Sequence, residues 1–157
     1  MTVDQAVSVR RARADDLDQV RALLEECHLP IADVNARSLD EFVVAEAGGP
    51  IVGVAGVERH GSYGLLRSVA ASEAMRGKGI GRSVVESAIS YARARGVSDI
   101  YLLTTTADSY FPALGFVKVD RDTAPAEIKS SSEFTDLCPS SAVLMRLDDD
   151  DAVPSPS

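Results

Sequence analysis

The chain has 157 residues, of which 45% are hydrophobic and 25% are charged, a composition typical of a single soluble globular domain. Its formal net charge of −8 disfavours partners such as nucleic acid or an anionic membrane surface. No apolar run approaches the ~20 residues of a membrane span, and the N-terminus lacks the apolar segment of a signal peptide. The two cysteines and two histidines form neither a disulfide framework nor a metal-ligand pattern. We therefore expect a cytoplasmic protein without a metal.

The first half of the chain predicts one helix and four strands. Asp15 or Asp16 offers an N-cap for the helix, whose apolar side chains recur at helical spacing as far as Cys27. Turns that contain glycine separate the later strands from one another. The strands are predicted at residues 7–10, 42–47, 51–59 and 65–71, and the last three form an antiparallel meander.

The second half alternates helices and strands. A second amphipathic helix covers residues 80–96 and a short one covers residues 109–114, and strands are predicted at residues 100–104, 115–119 and 142–147. A strand-helix-strand crossover is right-handed, so the strand at 100–104 should run parallel to the strand before the helix. The fold class is therefore α/β, with a mixed and mostly antiparallel sheet flanked by helices.

The domain is predicted to span residues 1–147, and the chain contains no internal repeat. Residues 148–157 are an acidic segment rich in proline and serine. Such a segment has too little apolar surface to build a core, so we expect a disordered tail.

Residues 76–82 read Arg-Gly-Lys-Gly-Ile-Gly-Arg and join a predicted strand to the second helix. A glycine turn at a helix start leaves main-chain N–H groups unpaired, and the helix dipole and nearby cations favour an anion there. The spacing matches neither the P-loop nor the dinucleotide fingerprint. It fits Arg-x-x-Gly-x-Gly, with Arg76, Gly79 and Gly81 as the fixed members, and predicts a ligand that carries a pyrophosphate.

Two segments together resemble the GNAT superfamily of acetyl-CoA-dependent N-acetyltransferases. The first is Leu66-Arg67-Ser68-Val69-Ala70-Ala71 leading into the glycine turn, and the second is the run at residues 107–116, similar to the family's A-x-x-F-Y-x-x-x-G-F helix and turn. The resemblance implies a GNAT-like fold with a splayed parallel pair of strands, and acetyl-CoA as the co-substrate.

Shorter segments at residues 65–68, 101–104 and 137–142 look like the arsenic-resistance-type N-acetyltransferases. Other features are similar to the acetyltransferase domain of N-acetylglutamate synthases. This narrower resemblance implies a small acceptor with an α-amino and an α-carboxylate group, such as an amino acid or an arsenic-containing analogue.

The resemblance also implies where coenzyme A is bound. The pantetheine arm would bond the backbone of Val69 and Ala71 like an added strand, and Thr104 occupies a position where the family often has asparagine. The pyrophosphate would lie on the glycine turn, whose residues are Arg76, Gly77, Lys78, Gly79, Ile80, Gly81 and Arg82.

Amide formation requires a base, an oxyanion donor and protonation of the departing thiolate. Backbone N–H groups near Val69 are the expected oxyanion donors. Glu58, at a strand end, is the first candidate for the base, and His60 is the second. The family's general-acid tyrosine corresponds to Phe111, and Tyr110 points roughly 100° away on a helix. Tyr110 or water is therefore the proton donor.

Arg67 is an unusual residue for an apolar strand. If side chains alternate, it shares a face with Val69 and its guanidinium could fork onto a substrate carboxylate. An ion pair with a strand neighbour such as Glu58 is the alternative. Weaker candidates for the carboxylate site are Arg59, Arg121 and Lys129.

These residues support three hypotheses about function. The first is an acetyltransferase for the amine of a small amino-acid-like molecule. The second is an acetyltransferase for the N-terminus of a protein or peptide. The third is a non-catalytic acyl-CoA-binding module, suggested by Phe111 in place of the tyrosine. A homodimer is a possible assembly, because many relatives in the superfamily pair.

Overall fold

The computed structural model describes residues 7–27, 31, 34–35, 37–72, 79–104, 110–129 and 143–147. The strands are β1 (Val7–Arg11), β2 (Phe42–Ala47), β3 (Ile51–His60), β4 (Tyr63–Ala71), β5 (Asp99–Thr104), β6 (Phe116–Val119) and β7 (Val143–Leu147). The α-helices are α1 (Leu17–Glu26), α2 (Ile80–Ala94), α3 (Tyr110–Ala113) and α4 (Ala126–Lys129). None of the helices in this described part of the chain has the length and apolar content needed to cross a bilayer.

The strands form a mixed seven-stranded sheet in the order β1-β2-β3-β4-β5-β7-β6. The sheet is mostly antiparallel with one parallel pair, which confirms the predicted fold class. Observed boundaries lie within two residues of the predicted ones. Helix α4 and the 3-10 turns at Ala14–Asp16, Ser38–Glu41 and Arg121–Thr123 were not predicted. They are too short for a periodic apolar pattern to reveal them.

The described residues group into two compact units. The first holds the chain up to Glu58 together with Leu66–Ala94, and the second holds Arg59–Leu65 together with the chain from Arg95 onward. One domain over residues 1–147 stays a prediction. The predicted tail at residues 148–157 lies outside the described residues.

The core of the first unit lies on one face of β2 and β3. Phe42 and Val44 of β2 and Val54 of β3 are buried there with the apolar stripe of α1. That stripe comprises Val20, Leu23 and Leu24, whose i, i+3, i+4 spacing produces one apolar helix face. Helix α2 contacts β2 and β1 and buries Ile80, Val84, Val85, Ala88 and Ala92.

The second unit has its own apolar core. Leu65, Tyr101, Leu103, Ala124, Ile128 and Leu144 are buried together. Tyr101 also packs edge-on against Tyr63, with the ring centroids 6.4 Å apart. Burial raises the pKa of the Tyr101 hydroxyl, because its charged form would be poorly solvated.

A buried carboxylate ties the start of α1 to β1. Arg10 donates two hydrogen bonds to the Asp16 carboxylate, at 2.8 and 3.0 Å, and a third to Glu46 at 2.7 Å. The Arg13 main-chain N–H donates to the same carboxylate at 2.7 Å. The Asp16 side chain is 7% exposed, and the bonds from Arg10 hold its pKa below the usual range against the opposing effect of burial. Asp16 therefore acts as a fixed anchor rather than as an exposed cap.

We expect Asp16→Asn to lower the free energy of unfolding by about 2–3 kcal/mol at neutral pH, since it leaves Arg10 without its main partner. Because the folded state lowers the pKa of Asp16, its contribution is present above the ordinary aspartate pKa and is lost as pH falls through the folded pKa. Urea unfolding from pH 7 down to pH 3 measures both effects.

Asp40→Asn is the matched control. Asp40 pairs with Arg11 at 3.4 Å, and both side chains are about 60% exposed. Such surface pairs contribute under about 1 kcal/mol. Equal losses in the two variants would contradict an anchoring role for Asp16.

Candidate functional site

Ser68 interrupts strand β4 with a left-handed backbone. Its φ is +58°, and it is the one non-glycine residue with positive φ among the described residues. Such a residue inside a strand is strained and is typical of a β-bulge, which removes main-chain groups from the ladder. Beyond the interruption, the Ser72 N–H donates to the Val52 carbonyl at 2.8 Å, so the end of β4 stays attached to β3.

Burial of the side chains around Ser68 departs from strict alternation. Strict alternation predicts that Arg67 and Val69 lie on one face. In the structure Arg67 and Ala70 are both buried, whereas Ser68 and Val69 are half-buried. Ala70 belongs to the core of α1, β2 and β3. Burial on either side of Ser68 therefore does not alternate, and a shared face for Arg67 and Val69 stays a prediction.

Arg67 and Glu58 are brought together at this point of the first unit. The Arg67 guanidinium NH1 lies 3.7 Å from Glu58 Oε2, and Arg67 Nε donates to Ser68 Oγ at 3.3 Å. The Arg67 side chain is 3% exposed and the Glu58 side chain 26%. The pair thus has an enclosed cation and a carboxylate that solvent reaches. Of the two interpretations left open by the sequence, the ion pair is observed.

Helix α2 begins at the glycine turn. Gly79 has φ of +77°, and its carbonyl accepts the first helical bond from the Ser83 N–H at 3.0 Å. Ile80, Gly81 and Arg82 form the first turn, whose N–H groups have no partner within a helix. These N–H groups and the positive end of the helix dipole suit an anion. Arg76, Gly77 and Lys78 lie outside the described residues.

Arg82 is already engaged on the surface of α2. Its Nε donates to Glu86 Oε2 at 3.0 Å, and both side chains are about 60% exposed. An exposed i, i+4 pair of this kind is worth about 0.3–0.5 kcal/mol, so a multiply charged anion can compete for Arg82.

Cys27, at the end of α1, contacts the end of β4. Its thiol donates to the Ala71 carbonyl at 3.7 Å, a normal length for a sulfur donor. The sequence placed Cys27 near a helix end without indicating this contact. The carbonyl retains a second lone pair, so Ala71 is still compatible with a further donor.

The remaining predicted residues lie in the second unit. Thr104 ends β5 opposite Val143 of β7 and is half-buried. Tyr110 begins α3, and its side chain lies outside the described residues. Phe111 packs edge-on against Phe116, with the ring centroids 6.0 Å apart. Phe111 therefore has a packing role in the position where a tyrosine was expected.

The weaker candidates also lie in the second unit. Arg59 NH1 donates to the Arg95 carbonyl at 3.2 Å on the surface. His60 is half-buried at the end of β3, Arg121 opens a 3-10 turn, and Lys129 is exposed at the end of α4. Within the described ranges, no three His, Cys, Asp or Glu side chains are grouped as a metal site requires.

Sequence comparison identifies relatives over most of the chain. The family model described as "Acetyltransferase (GNAT) family" matches residues 10–119. An amino-acid acetyltransferase from Mycobacterium tuberculosis is 30% identical over 139 residues, which are 83% of this chain and 76% of the relative. An uncharacterized N-acetyltransferase from Chlorobaculum tepidum is 29% identical over 89 residues, which are 56% of this chain and 57% of that protein.

Solved structures share the fold. A Mycobacterium tuberculosis protein in complex with CoA and NLQ has a TM-score of 0.75 and 26% identity, with 89% of this chain and 98% of that chain covered. N-acetylglutamate synthase from Neisseria gonorrhoeae, in complex with coenzyme A and N-acetyl-glutamate, has a TM-score of 0.77 and 23% identity. The match covers 91% of this chain but 35% of the synthase chain, and it establishes likeness of fold.

The backbone at Ser68 can be tested with two variants that both remove the hydroxyl. We expect Ser68→Gly to be more stable than Ser68→Ala by about 1 kcal/mol, because only glycine adopts a φ of +58° without strain from a Cβ. Chemical unfolding of both variants measures the difference. If the alanine variant is equally stable or more stable, β4 is not left-handed at residue 68.

Proposed function

Because the chain belongs to the GNAT acetyltransferase family, we propose that it transfers the acetyl group of acetyl-CoA to the amine of a small amino-acid-like molecule. One structural observation carries the proposal. In the first unit, Ser68 gives β4 a left-handed residue, and α2 begins at Ile80 after Gly79, so the N–H groups of its first turn have no partner within the helix. An acyl-CoA needs both features, one for its thioester and one for its diphosphate.

The diphosphate is proposed to lie on the first turn of α2. The N–H groups of Ile80, Gly81 and Arg82 would donate to its oxygens, as would the turn that holds Arg76, Gly77, Lys78 and Gly79. Arg82 would exchange Glu86 for a phosphate oxygen, since charge-assisted bonds to a phosphate are stronger than an exposed ion pair.

The thioester is proposed to lie beside the end of β4. The backbone of Val69 and Ala71 would bond the pantetheine arm, and a main-chain N–H near Val69 would donate to the thioester oxygen. That oxygen gains negative charge as the amine attacks, so a fixed donor stabilises the tetrahedral intermediate more than the ground state. Thr104 of the second unit is the proposed further contact of the pantetheine.

The chemistry needs two proton transfers. The amine attacks the carbonyl carbon after its ammonium proton passes to Glu58, directly or through water, and the C–S bond breaks as the C–N bond is completed. Glu58 suits this role because its carboxylate is partly exposed and lies beside the enclosed Arg67, where the proposed acceptor would bind. Tyr110 or water then protonates the CoA thiolate.

Arg67 is the proposed ligand of an acceptor carboxylate. An arginine fork matches a carboxylate geometrically, and this one is enclosed, so the interaction would be poorly screened by solvent. The name of the M. tuberculosis relative, an amino-acid acetyltransferase, supports an acceptor of this class. An arsenic-bearing amino-acid analogue falls within this class of acceptor.

A cytoplasmic location and a homodimer stay predictions.

One assay tests the function directly. Acetyl-CoA is incubated with the protein and with amino acids, an arsenic-bearing analogue or short peptides, and a thiol reagent measures the CoA released. Release with amino acids is expected. Release with peptides alone would support a protein or peptide acceptor instead. Protection of the protein by CoA against melting, without release, would support the non-catalytic module that the packed Phe111 favours.

Arg67→Ala should raise the KM for a carboxylate-bearing acceptor by about tenfold or more and change the KM for acetyl-CoA little, because it removes one charge-assisted bond to the acceptor. Arg59→Ala is the control, since Arg59 contacts a surface carbonyl. Similar increases in both KM values would show that Arg67 does not hold the acceptor.

Glu58→Gln should lower kcat by about 100-fold or more, because an amide cannot accept the ammonium proton. Its affinity for CoA, measured by calorimetry, should stay unchanged. A kcat close to that of the wild type would exclude Glu58 as the base. In the same assay, an unchanged kcat for Tyr110→Phe would assign protonation of the thiolate to water.

A further inference from the structure

Gly53 of β3 lies directly beneath the first residue of α2. A Cβ built on Gly53 would lie 2.5 Å from Ile80 Cγ2, closer than real carbon atoms approach, and 3.4 Å from Val84 Cγ1. Ile80 is 4% exposed and Val84 is fully buried. The first two turns of α2 therefore reach the sheet where β3 has no side chain.

Gly53 is paired across the sheet with Ala45 of β2. The built Cβ on Gly53 would lie 3.4 Å from Ala45 Cβ, so the two residues form one shallow depression. We name Gly53 and Ala45 the β2–β3 notch. Ile80 and Val84 fill it.

We propose that the β2–β3 notch sets the position of the first turn of α2, and that Gly53 is a positioning residue for the diphosphate of CoA. The inference rests on the proposed function, which places the diphosphate on that turn. Gly53 itself touches no part of the ligand. It acts through Ile80, whose main-chain N–H is one of the proposed donors.

The position of the first turn of α2 is sensitive to a single carbon atom added at Gly53. To restore an ordinary carbon contact of about 3.5 Å, Ile80 must move by about 1 Å. Hydrogen bonds to phosphate oxygens work over about 2.7–3.2 Å, so a shift of that size breaks or weakens them. The side chain cannot simply rotate away, because a β-branched residue in a helix has one strongly preferred χ1.

Gly56, three residues further along β3, provides a matched control. A Cβ built there would collide with the ring of Phe42, which belongs to the core with α1. Neither Gly53 nor Gly56 has a left-handed φ. Alanine at either position therefore meets a steric obstacle and no backbone strain, but only Gly53 faces α2.

Calorimetry with CoA, and with pantetheine as a probe that lacks the diphosphate, measures the effect. Gly53→Ala should raise the Kd for CoA by about tenfold or more and leave that for pantetheine within about twofold, since only phosphate bonds are lost. Gly56→Ala should lower Tm without changing the Kd for CoA. In Gly53→Ala/Ile80→Ala, the affinity for CoA should return to that of Ile80→Ala.

Each contrary result overturns the inference. Wild-type affinity for CoA in Gly53→Ala, or an equal loss in Gly56→Ala, would refute positioning by the notch while the proposed function stands. If the wild-type protein does not bind CoA, both fail. Should Gly53→Ala not fold, Ala45→Val crowds the same notch from β2, and unchanged affinity for CoA in that variant would equally refute the inference.

Discussion

The packing of Ile80 on Gly53 is the contact on which the arrangement of the first unit depends. A glycine in a central strand is costly because it packs no side chain and loses more chain entropy on folding. Here it lets a helix start close to the sheet. The same unit contains the left-handed Ser68 in β4, and the first-turn N–H groups of α2 have no acceptor within the helix.

The charged side chains of the first unit are also arranged in a way that suits an anionic ligand. The chain is acidic overall, with a formal net charge of −8, yet an enclosed arginine lies beside the interruption of β4. Its partner Glu58 prevents an uncompensated buried cation and is the more exposed member of the pair. The Arg10–Asp16 pair shows the contrast. Its carboxylate accepts three hydrogen bonds, two from the Arg10 guanidinium and one from the Arg13 main chain, and is almost fully buried.

Sequence reasoning succeeded where local chemistry decides the structure. Glycine turns and apolar periodicity predicted the strands and both long helices, and the family was recognised from two short segments. It failed where contacts are distant in the sequence. The left-handed φ of Ser68 has no local signature in the sequence. Gly53 reads as an ordinary strand glycine until α2 is packed over it.

The central claim is that main-chain amides at the start of α2 hold the diphosphate of coenzyme A. Nuclear magnetic resonance of the ¹⁵N-labelled protein tests it most directly, by titration with CoA and separately with pantetheine. We expect the amide signals of Ile80, Gly81 and Arg82 to shift with CoA and to remain in place with pantetheine. Amide signals there that stay unchanged while others respond to CoA would contradict it.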